Sequence, residues 1–373
     1  MLSKLRVQHY KSLFDTEVEL EPLTVFIGPN GSGKSNICEA LAVLSDFLQR
    51  LISDINNQNA VDFFSLSLSK DNKNFKSKFW QGKQDYIFFE VSDSINEESE
   101  NIRDKINKNI SFEFYYDQKE VFINYSEYPF NNYKDKYTTG LRQHLVPNYY
   151  DSIISRALKK VNIYDFAPDA ISNQTSSKNI MDRSGQGIAL ALVDILHENR
   201  EAFDELEERF TQLVPNIKRI ALPRVDNQKF SLKLIDKYSN HHIPPTDISD
   251  GTLRILAFLT ALYQTETPSI ICFEELENGV HPWLLNKMIE LLQIVSTEGI
   301  TGKPVQVLIT THSPLLLNYV KPHQVRAVEL DKEGKTQVHK LPTESARFQK
   351  ALEAYDGALG ELWFTNVFGG NPE

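Results

Sequence analysis

Leu23-Thr-Val-Phe-Ile27 runs directly into Gly28-Pro-Asn-Gly-Ser-Gly-Lys-Ser35, and behind it Ile37, Leu41, Leu44, Leu48 and Leu51 recur at intervals of four, three, four and three. The first run is short and rich in β-branched and aromatic residues, the composition of a buried strand. The last has the period of an amphipathic helix. A glycine-rich loop between a strand and a helix is the context in which this pattern becomes a phosphate-binding loop. Gly28, Gly31 and Gly33 let the backbone turn tightly and bring N–H groups against phosphate oxygens. The following helix aims its positive dipole end at the same oxygens. Lys34 is a point charge that reaches β- and γ-phosphates, and the Ser35 hydroxyl is a hard oxygen ligand suited to Mg2+. Asn30, Gly31, Ser32, Gly33, Lys34, Ser35 and Asn36 are therefore the first nucleotide-binding candidates.

Three further stretches narrow the chemistry. Ser269-Ile-Ile-Cys-Phe273 reads as a second buried strand and ends in Glu274-Glu275. Carboxylates at the carboxyl end of a parallel strand sit where α/β sheets bind ligands. Glu274 is assigned to the Mg2+ shell, and Glu275 to orienting and polarising the attacking water, because phosphoryl transfer needs mainly positioning and charge stabilisation. A third strand, Val305–Thr310, ends in Thr311-His312-Ser313-Pro314, where His312 can donate to the γ-phosphate or the lytic water. Lys34, Glu275 and His312 are thus the catalytic candidates. Ile248-Ser-Asp-Gly-Thr252 precedes the apolar run Leu253–Leu262, so Ser249 or Asp250 caps a helix whose start is another anion site. Its useful position is in trans, with Ser249 and Gly251 covering nucleotide held by a second copy.

Taken together, the order Gly28–Ser35, Ser249–Thr252, Ser269–Glu275, His312 resembles the ABC-type ATPase heads of the SMC and RecF families. It resembles more closely the small bacterial AAA-type ATP-binding proteins related to OLD ATPases, many of them in anti-phage defence. That likeness is carried by Ser249-Asp-Gly-Thr-Leu-Arg254, Glu274-Glu-Leu-Glu-Asn-Gly-Val-His-Pro282, Thr311-His-Ser-Pro314, the opening strand Val7–Phe14 and Gly360-Glu-Leu-Trp-Phe364. It covers residues 1–95 and 215–373. The resemblance implies an α/β fold, an ABC-type P-loop ATPase head with a mixed sheet and helices, and a homodimer sandwiching Mg-ATP, with a higher oligomer also open. It further implies that Glu277–His281 lie at the dimer seam and that Lys11 and Ser12 lie near the nucleotide. Two features depart from the transporter pattern: Ser-Asp-Gly-Thr at the signature, and Glu274 where Asp is usual. Both fit the OLD-like group. Gln81 is the candidate for the glutamine that joins the metal shell, with a plain loop residue as the alternative.

The pattern changes over 96–214, expected as an inserted α+β lid between head lobes 1–95 and 215–373. Residues 92–109 read as loop, the alternating segments 111–115 and 121–125 as a hairpin, and 184–213 as one long amphipathic helix or two short ones. The tyrosines there can stack on bases, although aromatic strand residues are more often core. No sustained heptads predict a coiled-coil arm. Only 61 residues follow His312, too few for a typical further domain, and the resemblance implies a separately encoded effector, such as a nuclease or toxin. The Asp331–Lys335 stretch reads as a polar hairpin turn between strands 325–330 and 336–341.

Composition sets the outer limits. The chain has 373 residues, 41% of them hydrophobic and 24% charged, enough for a large core. A formal net charge of −10 excludes a surface coated in positive charge but leaves a local basic groove open, so DNA stays a possible partner alongside a RecF-like maintenance role. Cys38 and Cys272 lie in apolar stretches and form no disulfide framework. The opening Met1–Arg6 lacks the apolar run of a signal peptide, and the run Leu253–Tyr263 is shorter than the roughly 20 residues of a membrane span. The expected location is the cytoplasm, with no membrane partner.

Overall fold

The computed structural model describes residues 1–53, 86–93, 109–117, 120–128, 131–135, 157–173, 181–226, 229–300, 302–365 and 368. In chain order the elements are β1 (Leu2–Tyr10), β2 (Leu13–Glu19), β3 (Leu23–Ile27), α1 (Lys34–Ser53), β4 (Tyr86–Asp93), β5 (Asn109–Asp117), β6 (Glu120–Tyr128), β7 (Asn131–Asp135) and β8 (Val161–Tyr164). Then follow α2 (Pro168–Ser172), α3 (Ile188–Glu198), α4 (Arg200–Leu213), β9 (Ile217–Ala221), β10 (Arg224–Asp226), β11 (Lys229–Phe230), β12 (Lys233–Asp236), β13 (His242–Ile243) and α5 (Asp250–Tyr263). The chain ends with β14 (Ile270–Glu274), α6 (Pro282–Thr297), β15 (Gln306–Thr311), α7 (Pro314–Leu317), β16 (Val325–Leu330), β17 (Thr336–Lys340), α8 (Ala346–Ala354) and α9 (Leu359–Phe364). They divide into two compact units. Met1–Val161, Pro268–Cys272 and Val305–Glu373 form the first, and Asn162–Thr267 with Phe273–Pro304 the second.

In the first unit β3 lies between two parallel neighbours. Thr311 of β15 is in register with Ile27 on one side, and Ala327 of β16 with Ile27 on the other. All five β3 residues are buried, as a strand covered on both faces requires. Antiparallel β17 borders β16, and β14 follows β15, with the N–H of Gln306 donating to the Ser269 carbonyl at 3.1 Å. The sheet is therefore mixed. The β16–β17 connection is the expected turn: Asp331 Oδ1 accepts from the N–H groups of Glu333 and Lys335, each at 2.9 Å. Those backbone donors hold the Asp331 carboxyl below its usual range. Helix α1 buries Ile37, Leu41, Leu44 and Leu48 along one stripe.

A second sheet in the same unit has the order β2-β1-β4-β5-β6-β7, antiparallel throughout. Pairing of β5 with β6 supplies the expected hairpin, closing at Asp117 opposite Glu120. Val7–Phe14 is not one strand, contrary to the sequence expectation. Tyr10 pairs with Leu13 across a two-residue turn, and Lys11 takes a φ of 51°, because so tight a hairpin needs a left-handed residue. Gln306 ties β15 to the chain start. Its Nε2 donates to the carbonyls of Leu2 (2.8 Å) and Glu21 (3.0 Å), and its Oε1 accepts from the Leu2 N–H at 2.9 Å, so a buried amide is satisfied.

In the second unit the helical span 184–213 is two helices. Asn199, at φ −146°, ends α3, and its Oδ1 caps α4 by accepting from the Ala202 N–H at 3.1 Å. Helix α5 is buried over almost its whole circumference from Leu253 onward. Against it packs an aromatic cluster: Phe258 to Phe273 at 5.2 Å between centroids, and Tyr164 to Phe273 at 5.8 Å. The Tyr164 hydroxyl accepts from Gln264 Nε2 at 2.8 Å, while burial pushes its phenol up to about 12. Among the described residues no helix is long and apolar enough to cross a membrane.

Candidate nucleotide site

In the first unit the glycine loop leaves β3 at the carboxyl edge of the sheet. Gly31 and Gly33 take φ of 78° and 102°, values that turn the loop back over the start of α1. Gly28 is fixed for a different reason. A Cβ there would stand 2.0 Å from the Val328 carbonyl of β16. Lys34 is folded onto its own loop, its Nζ donating to the carbonyls of Gly28 (2.9 Å) and Pro29 (2.8 Å). The Ser32 side chain is 1% exposed, and its Oγ has no hydrogen-bond partner among the described residues. His312 is exposed and follows Thr311, whose register partner Ile27 precedes Gly28. Loop and histidine thus leave adjacent parallel strands at the same edge.

A line of hydrogen bonds braces the loop from outside. Asn36 Nδ2 donates to Ser12 Oγ at 2.7 Å, Ser12 Oγ and Thr336 Oγ1 are 2.7 Å apart, and Thr336 Oγ1 donates to the Ser32 carbonyl at 2.9 Å. Thr336 is itself 1% exposed. Lys11 does not point away from its turn. Its ammonium pairs with the Glu39 carboxylate of α1. Burial and that carboxylate together push the Tyr10 phenol above its usual range.

Glu274, Glu275, Ser249 and Gly251 belong to the second unit. Glu274 ends β14 with its side chain 8% exposed, and Arg183 Nη2 donates to its Oε2 at 2.6 Å. Arg183 is carried by a tight loop in which Asp182 Oδ1 accepts from the N–H groups of Ser184 and Gln186 at 2.9 and 3.1 Å. Glu275 sits at φ 48°, a left-handed value that costs about 1–3 kcal/mol for a residue with a Cβ. Asn278 Nδ2 donates to Glu275 Oε2 at 2.6 Å and fixes the carboxylate. Ser249, rather than Asp250, caps α5, its Oγ accepting from the Thr252 N–H at 3.4 Å and donating to Thr252 Oγ1 at 2.9 Å. Gly251 packs on Gly279, where a Cβ would come within 2.6 Å of the Gly279 carbonyl. Both glycines line a half-open cavity of about 480 Å³ with Asn216, Ser249, His281 and Leu284.

Of the sequence candidates, Ser12, Ser32, Gly33 and Asn36 meet through Thr336, and Ser249 and Gly251 meet beside Gly279. Gln81 lies outside the described residues. Three contacts have no role in the sequence motifs: those of Thr336, Arg183 and, within the Glu277–His281 stretch, Asn278. Asn278 had a local cue, three residues after Glu275; the other two are distant in sequence and carry no motif.

The chain is similar to several known proteins. The fold is that of a head of an Smc protein solved with the C-winged helix domain of ScpA bound, at a TM-score of 0.55 and 14% identity over 94% of this chain and 99% of that one. An OLD nuclease of Thermus scotoductus is 31% identical over 93 residues, 25% of this chain and 18% of the relative. The DNA replication and repair protein RecF of Corynebacterium jeikeium is 47% identical over 45 residues, 12% of this chain and 11% of the relative. The chain spans less than a fifth of either curated relative's length. By fold the chain is an α/β P-loop ATPase head, with sequence similarity to the OLD nuclease and RecF over short stretches. It belongs to the family described as "AAA domain, putative AbiEii toxin, Type IV TA system", whose model matches residues 23–318.

Proposed function

We propose that this chain is a Mg-ATP-dependent dimerising ATPase that acts as a regulatory switch for a separately encoded effector, a nuclease or toxin, in anti-phage defence. The residues present fit a nucleotide polyphosphate. Two left-handed glycines open the loop, Lys34 rests on carbonyls it can leave for phosphate, and the Ser32 hydroxyl is buried with no partner among the described residues. Ser35 and Glu274 offer the hard oxygen ligands that Mg2+ takes, and the ion would neutralise charge on the β- and γ-phosphates. Lys34 would hold those phosphates. Glu275 would orient the attacking water, and His312 would donate to the γ-phosphate. Ser249 and Gly251 would cover the nucleotide of a second copy.

The observation that carries the hydrolytic reading is Glu275. Its carboxylate is held by Asn278 on a backbone that a glutamate adopts only at a cost, as strained catalytic positions do. The test is Glu275→Gln, which keeps size and the Asn278 contact. Retained ATP binding with hydrolysis reduced by about a hundredfold or more supports the assignment; wild-type turnover would remove Glu275 from it. Capture of bound chains by the same variant in Mg-ATP reads out the effector.

The RecF likeness over 45 residues favours a second reading, a DNA-binding maintenance ATPase. Recovery of DNA alone, lost steeply as salt rises, would select it. The net charge of −10 weighs toward the first.

A further inference from the structure

We propose that Thr336 is a positioning residue for nucleotide binding, holding the phosphate loop in its binding shape through the carbonyl of Ser32. The inference rests on the reading of Gly28–Ser35 as the nucleotide loop and adds a residue from the far end of the chain to it.

The hydrogen-bond line has only one direction. The Asn36 amide nitrogen can only donate and the Ser32 carbonyl can only accept. The Asn36 N–H therefore goes to Ser12 Oγ, the Ser12 hydroxyl proton to Thr336 Oγ1, and the Thr336 proton to the Ser32 carbonyl. Thr336 is the link that touches the loop itself. Its main chain is fixed independently. The N–H donates to the Ser12 carbonyl at 2.9 Å, and the carbonyl accepts from Thr16 Oγ1 at 3.0 Å. The hydroxyl is thus delivered by a rigid strand end rather than by a mobile side chain.

Two consequences bear on binding. The Ser32 carbonyl is turned outward to Thr336, and a peptide whose carbonyl points out of a loop turns its N–H, here that of Gly33, to the opposite side. Gly33 also leaves no room for a side chain against Thr336, since a Cβ there would lie 2.1 Å from Thr336 Oγ1. Secondly, the line commits the Ser12 hydroxyl proton to Thr336, and Lys11 is paired with Glu39. The β1–β2 turn acts here as a brace for the loop.

The test is nucleotide affinity, read with a fluorescent ATP analogue and Mg2+, on wild type, Thr336→Val, Thr336→Ser and Lys34→Ala, with thermal midpoints alongside. Thr336→Val keeps the shape and removes the hydroxyl. It should weaken binding about tenfold, the effect of losing one buried hydrogen bond. Hydrolysis at saturating ATP should stay within about twofold, because the group acts on binding and not on the water. Thr336→Ser should restore affinity. If Thr336→Val does not fold, Thr336→Ala lacks the same hydroxyl and cannot crowd Gly33, and it takes over the comparison. A folded variant without the hydroxyl that binds as wild type does, or one whose saturated rate falls with affinity intact, overturns the proposal. A wild type that binds no nucleotide, like Lys34→Ala, sinks the underlying reading and this inference with it.

Discussion

Arg183 lays its guanidinium on the carboxylate of Glu274, Nη2 to Oε2 at 2.6 Å, across 91 positions of sequence. Glu274 is 8% exposed and Arg183 44%, so a nearly buried charge is neutralised from a half-exposed loop. Removing the cation leaves the carboxylate poorly solvated. Arg183→Met should destabilise the protein by about 1–2 kcal/mol in urea, discounted for the exposed partner. Glu274→Gln in the Arg183→Met background should cost less than it does alone. A double-mutant cycle with coupling below about 0.3 kcal/mol would show that the pair carries no energy.

Strain at Glu275 makes an opposite prediction about stability. Glycine adopts a φ of 48° freely, so Glu275→Gly should be as stable as wild type or about 1 kcal/mol more so, despite losing the Asn278 contact. Under the proposed function it should lose hydrolysis. Equilibrium unfolding beside an ATPase assay reads both. Destabilisation beyond about 1 kcal/mol would mean that the carboxylate is structural.

His9 gives a pH dependence. It is buried between Phe14 and Tyr86, with ring centroids at 5.0 and 4.4 Å, and burial lowers its pKa. The unfolded chain therefore binds the proton more readily than the folded one. Stability from His9 is full above its unfolded pKa of about 6.5 and declines as the pH falls from there toward the folded value. The slope cannot exceed about 1.4 kcal/mol per pH unit for one proton. Urea midpoints at pH 7.5 and 5.5 should differ more in wild type than in His9→Phe. Equal differences in the two proteins would clear His9 of the effect.

Much of this protein is set by short-range pattern. The period of Ile37–Leu48, the unbroken burial of Leu23–Ile27 and the acids closing the strand at Glu274 follow from which side chains favour helix, strand or turn over a few residues. So do the cap at Ser249 and the Asp331 turn. The break at Asn199 was a local signal that periodicity alone left undecided between one helix and two, and Lys11 hid a hairpin because no glycine or asparagine announced it. What only the tertiary structure decided is which distant residues complete these local pieces. Gly28 is a glycine because the β16 backbone crosses beside it. Thr336 reaches Ser32 over 304 positions and Arg183 reaches Glu274 over 91. A threonine at a strand end and an arginine in a loop have no pattern of their own. Their roles come from buried hydrogen-bonding and charged groups that must find a partner, and chain topology alone determines which partner comes within reach.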